Sequence, residues 1–228
     1  MGVDRLISRS RRHLRRYGLR ATLYKAAQRF RESVYLRETH VWYELSLDTE
    51  RPRVPLPPGL TLVQGGDDDL PLLDELPTTP DEKEARKRLE AGADLWFVLD
   101  GRQPSFACWI FHESLPMLAA PDGQLVLPAG IVCLENSVTS AAYRGRGVAP
   151  AAWSNIVDTL EELGEAKVII TKIEESNIAS RRAILKSGFQ ESATMYFRLV
   201  GFWRRTTVRR KSGVTADWLA KALQKESL

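Results

Sequence analysis

The 228-residue chain predicts an α/β fold of the α+β kind: a mixed central sheet of about six to seven strands, flanked by helices and preceded by a basic helical segment. Two observations lead there. Apolar, β-branched runs of strand length, such as residues 166–172, alternate with longer stretches whose apolar residues recur at helical spacing, such as Ala152, Ile156, Leu160 and Leu163. Glycines punctuate the joints: Gly145 and Gly147 before that helix, Gly164 after it, Gly188 after the next.

Residues 1–36 form the basic extension. They read as two helices broken near Gly18, the second presenting Leu19, Leu23, Ala26 or Ala27, and Phe30 on one face, ringed by Arg20, Lys25, Arg29 and Arg31. Such a helix can cover its own domain, dock on a partner or lie on an anionic membrane; nothing interleaves aromatic and basic residues in the manner of a nucleic-acid module. The main domain spans 37–203. His40, Trp42, Tyr43 and Leu45 give 38–47 the character of a strand, and the proline-rich 51–59 a linker. Residues 60–64 form a short strand and 67–76 a short helix with an acidic start. Residues 80–91 form a helix closed by Gly92, while 95–100 and 105–112 make a hairpin around Gly101. Residues 125–127 extend its rim. A strand at 130–139 feeds a glycine turn, a helix covers 150–163, and a strand covers 166–172. A second helix starts at Ser176 or Asn177, and 189–190 with 194–203 complete the sheet. Residues 204–228 read as a basic tail with a helix at 215–225.

Charge is unevenly distributed. Residues 1–40 hold ten Arg and one Lys against three acids, and Arg204, Arg205, Arg209, Arg210 and Lys211 cluster near the other end, yet the net charge is only +4. The balance lies in an acidic middle, including Asp67, Asp68, Asp69, Glu82 and Glu84. No apolar run approaches the ~18 residues of a membrane span, so the expectation is a cytoplasmic protein with a possible peripheral contact at the inner membrane surface. Cys108 and Cys133 fall in interior strands as small apolar residues, and His13, His40 and His112 lack metal-ligand spacing; no metal is expected. Trp109 and Trp153 read as core.

The segment 143–150, Tyr-Arg-Gly-Arg-Gly-Val-Ala-Pro, carries the functional signal. Glycine tolerates the positive φ of tight turns and clears the approach to the backbone. The first N–H groups of the following helix are unpaired, its positive dipole end points at the turn, and Arg144 and Arg146 add forked charges that suit phosphate oxygens. An anion belongs there.

In these residues the sequence resembles the GNAT N-acyltransferases, which use acyl-coenzyme A. Their diphosphate-binding pattern is Arg or Gln, two residues, Gly, one residue, then Gly or Ala, and Arg144 to Ala149 fits it; Asn177, Ser180 and Gly188-Phe189 fit a second pattern at the right distance. The resemblance is specific over about 131–197. It implies that acetyl-CoA or another acyl-CoA is held by Val138, Thr139, Arg144, Gly145, Arg146, Gly147, Val148, Ala149, Asn177 and Ser180, its arm lying between the strands 130–139 and 167–173. It also implies acyl transfer to a primary amine by direct attack in a ternary complex.

Such attack needs a neutral amine and stabilisation of the developing oxyanion. Glu135, an acid inside an apolar strand, is costly unless paired or functional, and is the candidate base, with Asn136 and Ser137 as neighbours that position substrate or water. The family's proton-donating tyrosine, four residues before the Gly of Gly-Phe, is here Ile184, which leaves Tyr196 as the substitute by residue type. Arg181, Arg182 and Lys186 share a helix and read as solvated charge or as contacts to the adenosine phosphate. The acids of the two early helices suit a cationic small-molecule or peptide acceptor. The alternatives are the same fold using an acyl carrier protein or an aminoacyl-tRNA as donor, or a non-catalytic coenzyme A-binding module that docks through its basic helix.

Overall fold

The computed structural model describes residues 35–164 and 166–224; the helices expected within 1–34 lie outside the described residues. The strands are β1 (Tyr35–Ser46), β2 (Leu60–Gly65), β3 (Asp94–Asp100), β4 (Gln103–Phe111), β5 (Ser114–Pro116), β6 (Gln124–Val126), β7 (Ile131–Thr139), β8 (Val168–Glu174), β9 (Gln190–Val200) and β10 (Trp203–Arg210). The α-helices are α1 (Glu82–Glu90), α2 (Val148–Leu163), α3 (Ile178–Lys186) and α4 (Ala216–Leu223). Eight strands form one sheet in the order β10-β9-β1-β8-β7-β4-β3-β2, and β5 pairs with β6 in a separate ribbon. Among the described strands only β7 and β8 run parallel.

Strand alternation sorts side chains into two cores. Trp42, Leu70, Leu73, Phe97, Trp109, Met195 and Leu219 pack on one face, under the 3₁₀ helix Asp67–Glu75 and α4. Tyr43, Phe106, Ile110, Ala152, Ile156 and Ile184 pack on the other, under α2 and α3. Ile156 and Ile184 are fully buried, and each such side chain contributes roughly 1.5–3 kcal/mol. Cys108 and Cys133 are free and face opposite cores, so strand alternation keeps the two thiols apart.

Among the described residues the elements expected from the pattern are present, with two differences of placement. The sheet has eight strands because 204–210, expected as the start of a basic tail, continues with Trp203 from the Gly201 turn as β10; Thr206, Thr207 and Val208 supply the β-branched character that the arginines mask. The other is β1, which sits in mid-sheet between β8 and β9, far from its sequence neighbours. Its buried Glu44 accepts hydrogen bonds from the backbone N–H of Val214 (2.7 Å) and Thr215 (2.9 Å) and from the Thr215 hydroxyl. That carboxylate anchors the entry to α4. Gly213 must be glycine there: its φ is +110°, and a Cβ would land on the carboxylate.

Candidate active site

The parallel pairing of β7 and β8 covers only Ile131–Cys133 against Val168–Ile170. Beyond it, β8 stays bonded to β1 as far as Glu174, while β7 stays bonded to β4 through Thr139. The two central strands therefore part. A bulge accompanies the divergence: Ala107 pairs with Val138 and Trp109 with Glu135, so Asn136 and Ser137 oppose the single residue Cys108, and Asn136 takes the left-handed φ of +52°. Asparagine is among the few residues that adopt it cheaply.

Past the bulge, β7 leads into the glycine turn. Gly145 (φ +76°) and Gly147 (φ +78°) both adopt left-handed conformations, and a Cβ on either would meet no atom within 4 Å. Conformation rather than crowding demands glycine, and the space above both is open to a ligand. Gly147 caps α2 without a side-chain hydrogen bond, so the helix's first amides are left to solvent or an anion. Arg144 donates from Nε to the Thr139 carbonyl at 3.3 Å. The Arg146 guanidinium lies 5.5 Å from the centre of the Tyr143 ring, whose hydroxyl donates to Asp100 at 2.7 Å. Tyr143 thereby ties the turn to the β3–β4 hairpin. The turn is exposed and the Val148 side chain is buried beneath it. These residues fit a diphosphate.

Asn177 accepts a hydrogen bond from the Ser180 amide at 3.1 Å and caps α3. Arg181 is engaged within the protein rather than solvated, donating to the Tyr43 hydroxyl (2.9 Å), the Glu175 carbonyl (3.2 Å) and Glu191 (3.0 Å).

Glu135 stands at the start of the bulge, 8% exposed, and accepts a hydrogen bond from Lys172 Nζ at 2.7 Å. Burial would lower the pKa of the Lys172 ammonium, but the charge of Glu135 and the hydrogen bond to it outweigh burial and raise it. His40 on β1 shares this environment. Burial first, and then the Lys172 charge, hold it below its ordinary value against the opposing pull of Glu38, Glu135 and Glu174, so near neutral pH it is an uncharged imidazole. Its Nδ1 is buried without a hydrogen bond and lies 3.9 Å from Glu38. On the other side of the bulge, Arg88 of α1 donates to Asn136 Oδ1 at 2.7 Å and lies over Trp109 (5.3 Å) and Phe111 (5.7 Å). Ser137 faces the opposite core and accepts from Trp153 Nε1 at 3.0 Å.

The structure thus brings Glu135, the bulge, Val138, Thr139 and the turn 144–149 along one strand and its exit, with Asn177 and Ser180 at the end of the neighbouring strand. Tyr196 is not brought to Glu135. It alternates with Met195 and Phe197 of the first core, so it points to the opposite face, and β1 and β8 lie between. Three of the early acids have local partners: Asp67 and Glu82 pair with Arg86, and Glu84 with Arg88. Lys172, His40 and Arg88 were missed as site residues. For Lys172 a signal existed, since a lysine inside the run Val-Ile-Ile-Thr-Lys is as anomalous as the glutamate of β7; for His40 and Arg88 only the strand order and the helix packing could have supplied it. Among the described residues no cluster suited to a metal ion occurs.

No family model and no curated protein matches the chain. Solved structures do. A GNAT-family protein from Novosphingobium aromaticivorans superposes with a TM-score of 0.52 at 14% identity, covering 78% of this chain and 66% of that one. A GCN5-related N-acetyltransferase from Sphaerobacter thermophilus gives 0.52 at 17%, covering 80% and 56%. A tandem GNAT protein from the clavulanic acid biosynthesis pathway gives 0.51 at 14%, covering 77% and 55%. The chain spans between 55% and 66% of the length of these structures. At these identities the likeness is one of fold: the sheet and its flanking helices are arranged as in these GNAT-family structures.

Proposed function

We propose that this chain is an N-acyltransferase that moves an acyl group, acetyl being the simplest, from acyl-CoA to a primary amine by direct attack in a ternary complex. The observation that carries the reading is the pair of left-handed, open-topped glycines at the uncapped start of α2, flanked by Arg144 and Arg146 and continuous with the splayed end of β7.

The acyl-CoA supplies a thioester. Arg144, Gly145, Arg146, Gly147, Val148 and Ala149 would hold its diphosphate, Val138 and Thr139 its arm, and Asn177 and Ser180 the far wall of the cleft. Glu135 is the base: its carboxylate takes the proton from the attacking amine, directly or through one water, as the new C–N bond forms and the C–S bond breaks. Lys172 fixes the carboxylate in place, and Arg88 holds the Asn136 side chain at the bulge. The leaving thiolate needs no dedicated acid. Tyr196, the substitute suggested by residue type, has no part in this reading because it faces away from Glu135.

The test mixes the full chain with acetyl-CoA and a panel of amines and follows release of free thiol, with coenzyme A binding measured by calorimetry. Turnover with an amine, and binding weakened by Arg144→Ala, are expected. Binding without turnover would favour the module reading. Neither binding nor turnover, with coenzyme A or with an acylated carrier protein as donor, would overturn the proposal.

A further inference from the structure

The outer end of the sheet carries a second feature, independent of acyl transfer. On the α2 and α3 face of β10-β9-β1, the pairing register aligns side chains in cross-strand rows. Arg205, Arg198 and Arg37 stand directly opposite one another. Like charges in such a row repel, and Cβ atoms there lie only ~5 Å apart. None of the three makes an ion pair or hydrogen bond among the described residues, and all are exposed. The next row outward is Trp203, Val200 and Tyr35, and beyond it the Gly201 turn presents Phe202. Phe202 is fully exposed, Trp203 85% and Tyr35 46%. Residues 192–212 contain five arginines and a lysine and no acid. Glu38 and Glu174 lie near in register but belong to the opposite face, the face of Trp42 and His40.

We propose that this hairpin end, which no other described residue covers, docks on an anionic lipid bilayer. The order of the rows matches the layers of such a surface. Aromatic side chains at the tip enter the boundary between headgroups and acyl chains. The arginine row sits two residues behind, about 7 Å along the strand, at the level of the headgroup phosphates. Phosphates supply the counter-charge that the described residues leave out. The charge of the preceding chain agrees, since residues 1–34 carry nine Arg and one Lys against two acids and join the sheet at Tyr35, in the aromatic row itself. Single-stranded nucleic acid would also supply phosphate, but stacked bases need aromatic rings set among the arginines rather than gathered at a protruding turn.

The full chain is sedimented with vesicles of phosphatidylcholine alone and with phosphatidylglycerol added, at low and high salt. Binding only to the anionic vesicles, weakened by salt, is expected. All six tryptophans lie in the described residues and Trp203 is the most exposed, so binding should shift emission to the blue, and Trp203→Phe should remove most of that shift. Arg198→Glu places a carboxylate between Arg37 and Arg205. Thermal stability should hold or rise, while vesicle affinity falls by about twenty-fivefold, the product of two unit-charge changes at roughly fivefold each. Loss of affinity with retained stability separates docking from a folding defect. If Arg198→Glu and the double variant Phe202→Ser/Trp203→Ser pellet as the parent does, the surface is not the dock. Tighter binding to a single-stranded oligonucleotide than to vesicles would equally overturn the proposal.

Discussion

Replacing Lys172 with methionine tests the energetics and the chemistry of the site together. The ammonium lies 2.7 Å from Glu135, and the two side chains are 18% and 9% exposed. At an effective dielectric of about 20, opposite unit charges at that separation attract by roughly 6 kcal/mol, an attraction that desolvation of both ions largely offsets. Removing one partner strands the other: Lys172→Met leaves a buried carboxylate unpaired, and Glu135→Gln leaves the burial of Lys172 unopposed. Each single variant should lose about 3–5 kcal/mol. For a chain of this size that lowers Tm by roughly 6–20 °C. The double variant Glu135→Gln/Lys172→Met should recover most of the loss, because no stranded charge remains. Urea denaturation of the four proteins completes the cycle. Thiol release then separates structure from chemistry. If Glu135 is the base, the double variant regains stability without activity, with kcat down by about 10²–10⁴ and coenzyme A affinity unchanged. A coupling near zero in the cycle refutes the electrostatic argument; recovery of activity together with stability refutes the assignment of Glu135.

Three further outcomes follow from particular positions. Gly147→Ala meets no steric obstacle but must hold φ near +78°, so stability should fall by only ~1–2 kcal/mol while coenzyme A affinity, measured by calorimetry, falls at least as much again. Gly213→Ala should cost ~2 kcal/mol or more, because its Cβ displaces the carboxylate that holds the entry to α4; hydrogen exchange should show α4 opening first. His40 titrates below its ordinary value of 6.5 in the folded chain. Below that pH the unfolded chain binds the proton and the folded chain does not. Its contribution is therefore present above pH 6.5 and is lost as pH falls toward the folded value, and His40→Gln should flatten that slope in denaturation curves.

The local pattern made the layered fold and the glycine turn legible. Helix α2 begins two residues earlier than its apolar spacing suggested, because the left-handed Gly147 rather than Pro150 sets its start. The turn could be read because its chemistry lies in consecutive residues. Glu135 could be read because an acid among Val, Cys and Leu is anomalous in any fold. Its partner could not be named, since the pairing of Glu135 with Lys172 requires β7 and β8 to be neighbours, and neighbourhood in a sheet is a long-range property. Tyr196 shows the same limit from the other side. Residue type suggested a proton donor, and strand parity with the buried Met195 and Phe197 sends it to the wrong face.

The most consequential non-local fact is the position of β1. Wedged between β8 and β9, it projects Glu38, His40, Trp42 and Glu44 toward one core and Tyr35, Arg37, Val41 and Tyr43 toward the other. The first set places His40 and Glu38 beside Lys172, sets the Trp42 backbone against it, and extends the Glu44 carboxylate to the loop before α4. The second set places Tyr43 under Arg181 and continues outward into the arginine and aromatic rows. A one-residue slip of β1 would exchange the two faces, turning the buried Trp42 and Tyr43 each toward the other's core and carrying His40 away from the pair. The lost packing of these two large side chains opposes the slip. The same alternation therefore fixes the register, the environment of Glu135 and the exposure of the hairpin end.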